Sequence, residues 1–594
     1  MSKDIVLQGG EFLIKETKAE DIFIPEEFNE EQRMIADTCK DFLESQVLPQ
    51  IDKIEQQEPG LTTSLLEASG ELGLLGISIP EKYDGFGQSF VTSMLTTEIF
   101  GGGASFAVSL AAHTGIGTLP VLYYGTEEQK QKYLPDLGSG KLKACYCLTE
   151  PGAGSDANSG KAKATLTEDG KHYLLNGDKM WITNGGFADI FIVFAKIGTD
   201  KDLSAFIVEK DFGGIKINPE EKKMGIKGSS TVQVFFEDCK VPVENLLWKQ
   251  GGGFKIALNI LNLGRIKLAG AAIGGAKATI SHAIDYANQR IQFGKPIATY
   301  GAIQYKLAEM AIRTFAVESA TYRASQNIED AIKSLVDNGM DEEKAHLEGI
   351  RQFAIEAAIL KVYASEVLDY VADESVQTYG GMGYSAESPV ERAYRDSRIN
   401  RIFEGTNEIN RMLIIDMLMK RALKGELDLM GPATKVADEL TSIPEFRSPS
   451  TDMIEEAHAM VSNFKKTVLM TAGAAVQKLM LNLKDEQEVL ISLSNMVMDT
   501  YVAESLLLRV EKIKKMNSHP NFNLYEDILS VFLYEAAERI QKNGKDAVYS
   551  FAEGTEQGML LMGLKRFTKV QPFNLKIKRR NVSKHLCDTN FYKL

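Results

Sequence analysis

"KATLTEDGKHYLLNGDKMWITNG", residues 163–185, breaks the rhythm of the chain on both sides of it. Apolar and polar residues alternate along it, the period of a strand with one buried face. Asp169-Gly170 and Asn176-Gly177 are dipeptides of tight hairpin turns. "DIFIVFAKI" (189–197), "LSAFIVEK" (203–210) and "STVQVFFEDCKVP" (230–242) carry the same strand signature. Together they predict a compact antiparallel β domain of six to eight strands over residues 142–252.

The flanks read as helix. Upstream, over 1–141, "EEFNEEQRMIADTCKDFLESQVLPQID" spaces its apolar residues helically behind an acidic first turn. "SFAVSLAAHTGIGTLPVLYYG" predicts a pair of small-residue helices. Downstream, over 253–424, three long helical runs start near Gly253, Ala302 and Ala345, each apolar on one face, as in a bundle. Breaks at "GELDLMGPATK" and "SIPEFRSPSTDM" separate a further helical region over 430–594. The expected fold is mainly α with a central β domain: N-terminal helical domain, β domain, helical bundle, C-terminal helical extension.

At 594 residues the chain exceeds one core, and three to five domains are expected. Its 44% hydrophobic and 25% charged residues are those of a folded globular protein. A net charge of −14 argues against nucleic acid as a partner. Five cysteines, an odd number in a long chain, fit reduced thiols in a cytosol-like compartment. The acidic N-terminus reads as neither a secretion signal nor a transit peptide, and no run reads as a transmembrane span, so a bacterial cytoplasm is expected. The chain has no short-period repeat.

Four stretches could carry chemistry. In "CYCLTEPGAGSDANSG" (145–160), glycines and Pro151 force a tight loop whose N–H groups could face a ligand; it is neither a Rossmann fingerprint nor a P-loop. Cys145 and Cys147 lack the further ligands of a zinc site and read as one face of a strand; no metal is expected. In "KMWITNGG", Trp181 and Thr183 share a strand face, either walling a flat aromatic ligand or filling the β core. In "NQRIQFGKPI", Arg290 either binds a phosphate or sits on a solvated face. In "QTYGGMGYSAESPVERAYRDSRINRIFEGTNEI" (377–409), a glycine cluster precedes Glu404, and Thr406 can cap a helix beginning near Asn407. Glu404 is either a helix-dipole carboxylate or, among apolar neighbours, a general base. Histidine spacing and the absence of GxSxG disfavour zinc or serine hydrolysis.

"YCLTEPGAGSD", "WITNGG", "RIQFGKPI", "QTYGGMGY" and "RDSRINRIFEGTNEI", in this order, resemble the acyl-CoA dehydrogenase family over residues 25–424. The helical extension resembles its very-long-chain branch. The resemblance implies an FAD flavoprotein of fatty acid β-oxidation, which converts a fatty acyl-CoA to the trans-2-enoyl-CoA and passes electrons to an electron-transfer flavoprotein. Glu404 matches the base that takes the α-proton while hydride goes to flavin N5. The alternative base position of some branches is Gly264 here, which leaves Glu404. Tyr146, Leu148, Thr149, Trp181 and Thr183 match residues along the flavin. Arg290, Phe293, Gln377 and Gly381 match those that hold the adenylate half from a neighbouring subunit, and Thr406 and Glu408 match contacts to the pyrophosphate. Ser155 and Arg265 match the substrate side, and Gly115 and Gly117 match the bottom of the acyl pocket, left wide for long chains. Sites shared between subunits imply a homo-oligomer, a dimer in the extended branch. The last 31 residues carry nine Lys or Arg against one acid, which could meet an anionic membrane surface, a partner or only solvent. An acyl-CoA oxidase and a non-catalytic assembly protein on the same fold are the alternatives.

Overall fold

The computed structural model describes residues 7–442, 450–516 and 521–594. Most of the break at "SIPEFRSPSTDM" lies outside the described residues.

Helices occupy the chain up to Gly138, beginning with α1 (Glu30–Phe42) and including α2 (Phe90–Phe100) and α3 (Ala104–Ala111). Asn29 opens α1 with a reciprocal cap: its side chain accepts from Gln32 N, and Gln32 accepts from Asn29 N.

Eight strands follow: β1 (Ala144–Cys147), β2 (Lys163–Leu166), β3 (His172–Thr183), β4 (Ile190–Ile197), β5 (Ser204–Glu209), β6 (Ile215–Ile217), β7 (Thr231–Pro242) and β8 (Leu246–Leu247). They form one sheet in the order β6-β7-β3-β2-β4-β5-β8, with β1 beside β4. The sheet is mixed, not purely antiparallel as expected, because both β1 and β2 pair with β4 in parallel.

Asp169-Gly170 turns the chain between β2 and β3. Asn176-Gly177 does not turn it. It lies inside β3, where the register with β7 shifts between Leu175 and Gly177. A Cβ on Gly177 would lie 2.6 Å from Ala162 Cβ, so close packing and not a hairpin requires this glycine.

The strand β4 is buried on both faces, which explains its unbroken apolar run. Phe191, Val193 and Ala195 enter a core between strands, together with Cys145 and Cys147. Ile190, Ile192 and Phe194 point the other way, into the core shared with the helices, as do Tyr146 and Leu148. The two cysteines thus occupy one face of a strand, their sulfurs 3.9 Å apart. The same alternation delivers Tyr146 to the helical side.

The second helical region contains α4 (Gly253–Gln289), α5 (Gly301–Asp337), α6 (Ala354–Tyr379), α7 (Pro389–Ser397) and α8 (Asn407–Leu423). A hairpin of β9 (Ile291–Gln292) and β10 (Lys295–Pro296) joins α4 to α5. The third predicted run is broken: a helix over Glu342–Gln352 ends before α6 begins. Thr406 caps α8, its Oγ1 accepting from Ile409 N.

The extension, with α9 (Met453–Leu479), α10 (Gln487–Met516), α11 (Phe522–Phe551) and α12 (Leu575–Thr589), packs onto α5, α6 and α8. Buried charges cross this junction. Arg509 meets Glu26 and Glu318, and Arg323 meets Glu504. Such pairs fix which surfaces meet more than they add net stability. In α12, Lys578 pairs with Asp527 and Arg579 with Glu309 and Glu535, so part of the basic tail is occupied by contacts within the fold.

Two helical segments, Phe90–Tyr124 and Gly253–Gln289, are long and apolar enough to span a membrane, contrary to the expectation from the sequence. Their most apolar windows are 72% and 67% buried inside the protein, as core helices are.

Candidate active site

A cavity of about 450 Å³ runs between α3, α4, the glycine turn that follows α2 and the segment 389–404. Its lining residues on α4 extend from Ile260 to His282, about 33 Å at the helical rise. The wall is made of small apolar groups, among them Gly101, Ala104, Ala107, Ala111, Ala271 and Gly275. Thr183 and Glu404 both line it.

Glu404 sits in left-handed backbone, φ 58°, followed by Gly405 at φ 82°. A glutamate in that region is strained, and neighbouring side chains hold it there. Lys361 donates to Gly405 O at 2.7 Å and to Asn407 Oδ1 at 2.7 Å. Asn410 donates to Gly405 O at 2.7 Å and Thr406 O at 3.1 Å. Arg265 Nε donates to Glu404 O at 3.3 Å. Every one of these donors is buried, and the carbonyls of 404–406 satisfy them.

The carboxylate itself accepts no hydrogen bond from the described residues, and its Oε2 is sealed from solvent. It does not cap α8, a role that Thr406 fills. Burial pushes its pKa up to about 7, with Arg265 and Lys361 pulling the other way. Burial also pushes Lys361 down to about 8. A carboxylate poised near neutrality on an apolar wall is suited to taking a proton from carbon.

Tyr146 faces the same place. Its hydroxyl is buried with no hydrogen-bond partner among the described residues, and burial, with the charge of Glu404 adding to it, holds the phenol protonated. Leu148 is buried and Thr149 half-buried, with Thr149 O accepting from Met180 N. The loop after them is anchored by Glu150. Its carboxylate accepts from Lys161 N and Ala162 N, and pairs at 2.6 Å with the fully buried Lys179. Ser155 is exposed on that loop.

Trp181 occupies a second irregularity of β3, between Lys179 and Ile182, with φ 59°. Its indole is 54% exposed, so it does not fill the β core.

The remaining expected residues divide. Gly115 lines the cavity, and a Cβ there would meet nothing within 4 Å. Gly117 does not line it: a Cβ there would lie 2.7 Å from Ala144 Cβ, so its role is packing. Arg265 is buried behind Glu404, bonded to Asn262 at 2.8 Å, and does not line the cavity. Thr406 is half-buried and Glu408 exposed at the start of α8.

Arg290, Phe293, Gln377 and Gly381 are all exposed, Phe293 at 95%. The ends of α4 and α6 that carry them meet where Tyr286 stacks on Tyr379 at 4.0 Å. Lys361, which touches the Glu404 loop, lies sixteen residues before Gln377 on α6, about 24 Å away along the helix. One chain therefore presents two separate clusters. No group of three His, Cys, Asp or Glu among the described residues could hold a metal.

Lys361, Asn407, Asn410, Glu150 and Lys179 escaped the sequence reading. A polar residue inside a long apolar helix, as Lys361 is, was the only available signal.

Family models of the acyl-CoA dehydrogenase N-terminal, middle and C-terminal domains match residues 29–141, 145–239 and 251–419, and a further C-terminal model of the same description matches 463–566. A probable acyl-CoA dehydrogenase of Bacillus subtilis is 44% identical over 588 residues, 99% of this chain and 98% of that protein. A very long-chain specific mitochondrial acyl-CoA dehydrogenase of Rattus norvegicus is 38% identical over 80% of this chain and 74% of its own length. The crystal structure of an acyl-CoA dehydrogenase complexed with FAD from Bacillus anthracis superposes with TM-score 0.96 at 44% identity, covering 99% of this chain and 100% of that one.

Proposed function

Because the chain belongs to the acyl-CoA dehydrogenase family, we propose that Glu404 takes the α-proton from a long-chain fatty acyl-CoA whose acyl group lies in the cavity along α4. The protein is an FAD-dependent oxidoreductase, and bound FAD supplies the acceptor for the hydride that leaves the β-carbon. The observation that carries the reading is the Glu404 carboxylate, on the wall of an apolar cavity with no hydrogen bond from the described residues.

The residues present fit the cofactor. Tyr146 and Glu404 carry buried oxygens with no partner among the described residues, Trp181 presents an uncovered indole, and Gly152 and Gly154 leave open space beside the loop. Tyr146, Leu148, Thr149, Trp181, Thr183 and Thr406 would hold the flavin end, with Glu408 contributing backbone only, since its charge opposes phosphate. Arg290, Phe293, Gln377 and Gly381 cluster at the far ends of α4 and α6, about 24 Å along α6 from Lys361, which supports their serving a neighbouring subunit in a homodimer. Excluding water from the apolar cavity keeps the base reactive. The main-chain N–H of Glu404, fixed by its held backbone, would polarise the thioester oxygen.

The cavity length supports a long chain. A bilayer core of about 30 Å accommodates two opposed chains, so one chain needs about half of that. Electrons would pass to an electron-transfer flavoprotein in a bacterial cytoplasm, in β-oxidation.

The test is anaerobic reduction of the purified flavoprotein by palmitoyl-CoA and octanoyl-CoA, with Glu404→Gln alongside. Bleaching by palmitoyl-CoA that slows at least about a hundredfold in the variant is expected. Bleaching unaffected by the variant would remove Glu404 as base. Peroxide release in air would make the protein an oxidase, and a protein that no acyl-CoA bleaches would be an assembly factor.

A further inference from the structure

The wall of the acyl cavity carries a cation that no carboxylate pairs with among the described residues. Lys267 lies one turn beyond Gly264 on α4 and lines the cavity. The other basic side chain on that wall, Arg392, is paired with Asp52. Lys267 has no hydrogen-bond or ion-pair partner among the described residues, and burial alone acts on its ionisation. An unpaired lysine in a hydrocarbon-lined channel works against an unsubstituted acyl chain, which must desolvate it on binding.

A second feature shows how the charge is tolerated. Lys267 also lines a small side chamber of about 30 Å³, enough for a water molecule. Ser78, Ser93, Thr96, Thr97 and Thr114 share that wall. Thr96 and Thr97 donate their protons to Ser93 O, and Thr114 donates to Leu110 O. Among the described residues, Lys267 is the only cationic side chain on the chamber wall. Lys267 thus stands between this hydroxyl-lined chamber and the substrate cavity, lining both.

We propose that Lys267 is a specificity-determining residue which pairs with a carboxylate carried at the far end of the acyl group, so that ω-carboxyacyl-CoA thioesters are substrates. The inference rests on the acyl-CoA dehydrogenase reading of the same cavity and adds a substrate class to it. Lys267 stands only three residues along α4 from the wall beside Glu404, so the matching acyl groups are of medium length.

The experiment compares adipoyl-, suberoyl- and sebacoyl-CoA with hexanoyl-, octanoyl- and decanoyl-CoA on wild type, Lys267→Met and Lys267→Arg holoenzyme. Wild type should dehydrogenate at least one of the carboxyacyl series. Lys267→Met should raise KM for that substrate at least about tenfold, the loss of one charged hydrogen bond, while lowering KM for the matched plain acyl-CoA. Lys267→Arg should keep the preference. Equal changes for both series in Lys267→Met would mean a structural lysine and overturn the inference, as would a wild type that oxidises plain acyl-CoA and none of the carboxyacyl series. A wild type that no thioester reduces overturns the parent reading and this one together.

Discussion

Gly264 on α4 faces the carboxylate of Glu404 so closely that a Cβ built on it would lie 2.6 Å from Glu404 Oε2. The two residues are 140 positions apart and occupy one space. The absence of a side chain at 264 is what lets the carboxylate lie against the helix.

Gly264→Ala therefore separates stability from activity. Alanine favours the helix by up to about 1 kcal/mol. It also forces the carboxylate aside, and an ångström of misplacement costs up to about a hundredfold in rate. Thermal unfolding should be unchanged or raised, while kcat falls at least about tenfold. Retained kcat would show that the carboxylate has room elsewhere.

The pH response follows from the same burial. With Glu404 pushed up to about 7, kcat/KM should rise along a limb centred near pH 7 as the carboxylate loses its proton. The cations facing it are Arg265 and Lys361, which hold the value down. Lys361→Met should move the limb to higher pH. Stability moves the opposite way. The folded pKa lies above the unfolded one, so this contribution is full below the unfolded carboxylate range and is lost as pH rises through about 7. Glu404→Gln should be more stable than wild type at pH 8, by up to about 3 kcal/mol, with the gap closing towards pH 5. Melting curves across that range check it.

Gly115 borders open cavity, and any side chain there grows into the space. Gly115→Leu should lower kcat/KM for palmitoyl-CoA at least about tenfold and spare butyryl-CoA. A uniform loss for both substrates would mean a misfolded helix bend and not a shortened pocket.

Lys179 and Glu150 form a buried pair beneath the loop that carries Leu148 and Thr149. Lys179→Met leaves the carboxylate uncompensated, at a cost of about 3–5 kcal/mol. The variant should melt earlier and retain less FAD through gel filtration. Lys179→Met with Glu150→Gln should recover part of the loss, because the stranded charge is gone.

The order of helical, β and helical regions was legible because it rests on local periodicity, which a residue and its near neighbours express without the rest of the chain. Thr406 as a cap and Asp169-Gly170 as a turn were legible for the same reason. Asn176-Gly177 misled because the dipeptide reports backbone permissiveness, and only the neighbouring Ala162 shows that close approach is what uses it. Gly115 and Gly117 looked equivalent two residues apart, yet one opens on the cavity and the other packs on Ala144.

The sequence by itself determined which segments are helix and strand and which carboxylate stands before α8. Only the tertiary structure decided that Oε2 of this carboxylate is sealed, that Lys361, Asn410 and Arg265 hold its strained backbone, and that Lys267 lines the cavity with no ion-pair partner among the described residues. Desolvation, Coulomb interaction and steric exclusion act through space, between groups that the order of residues leaves far apart.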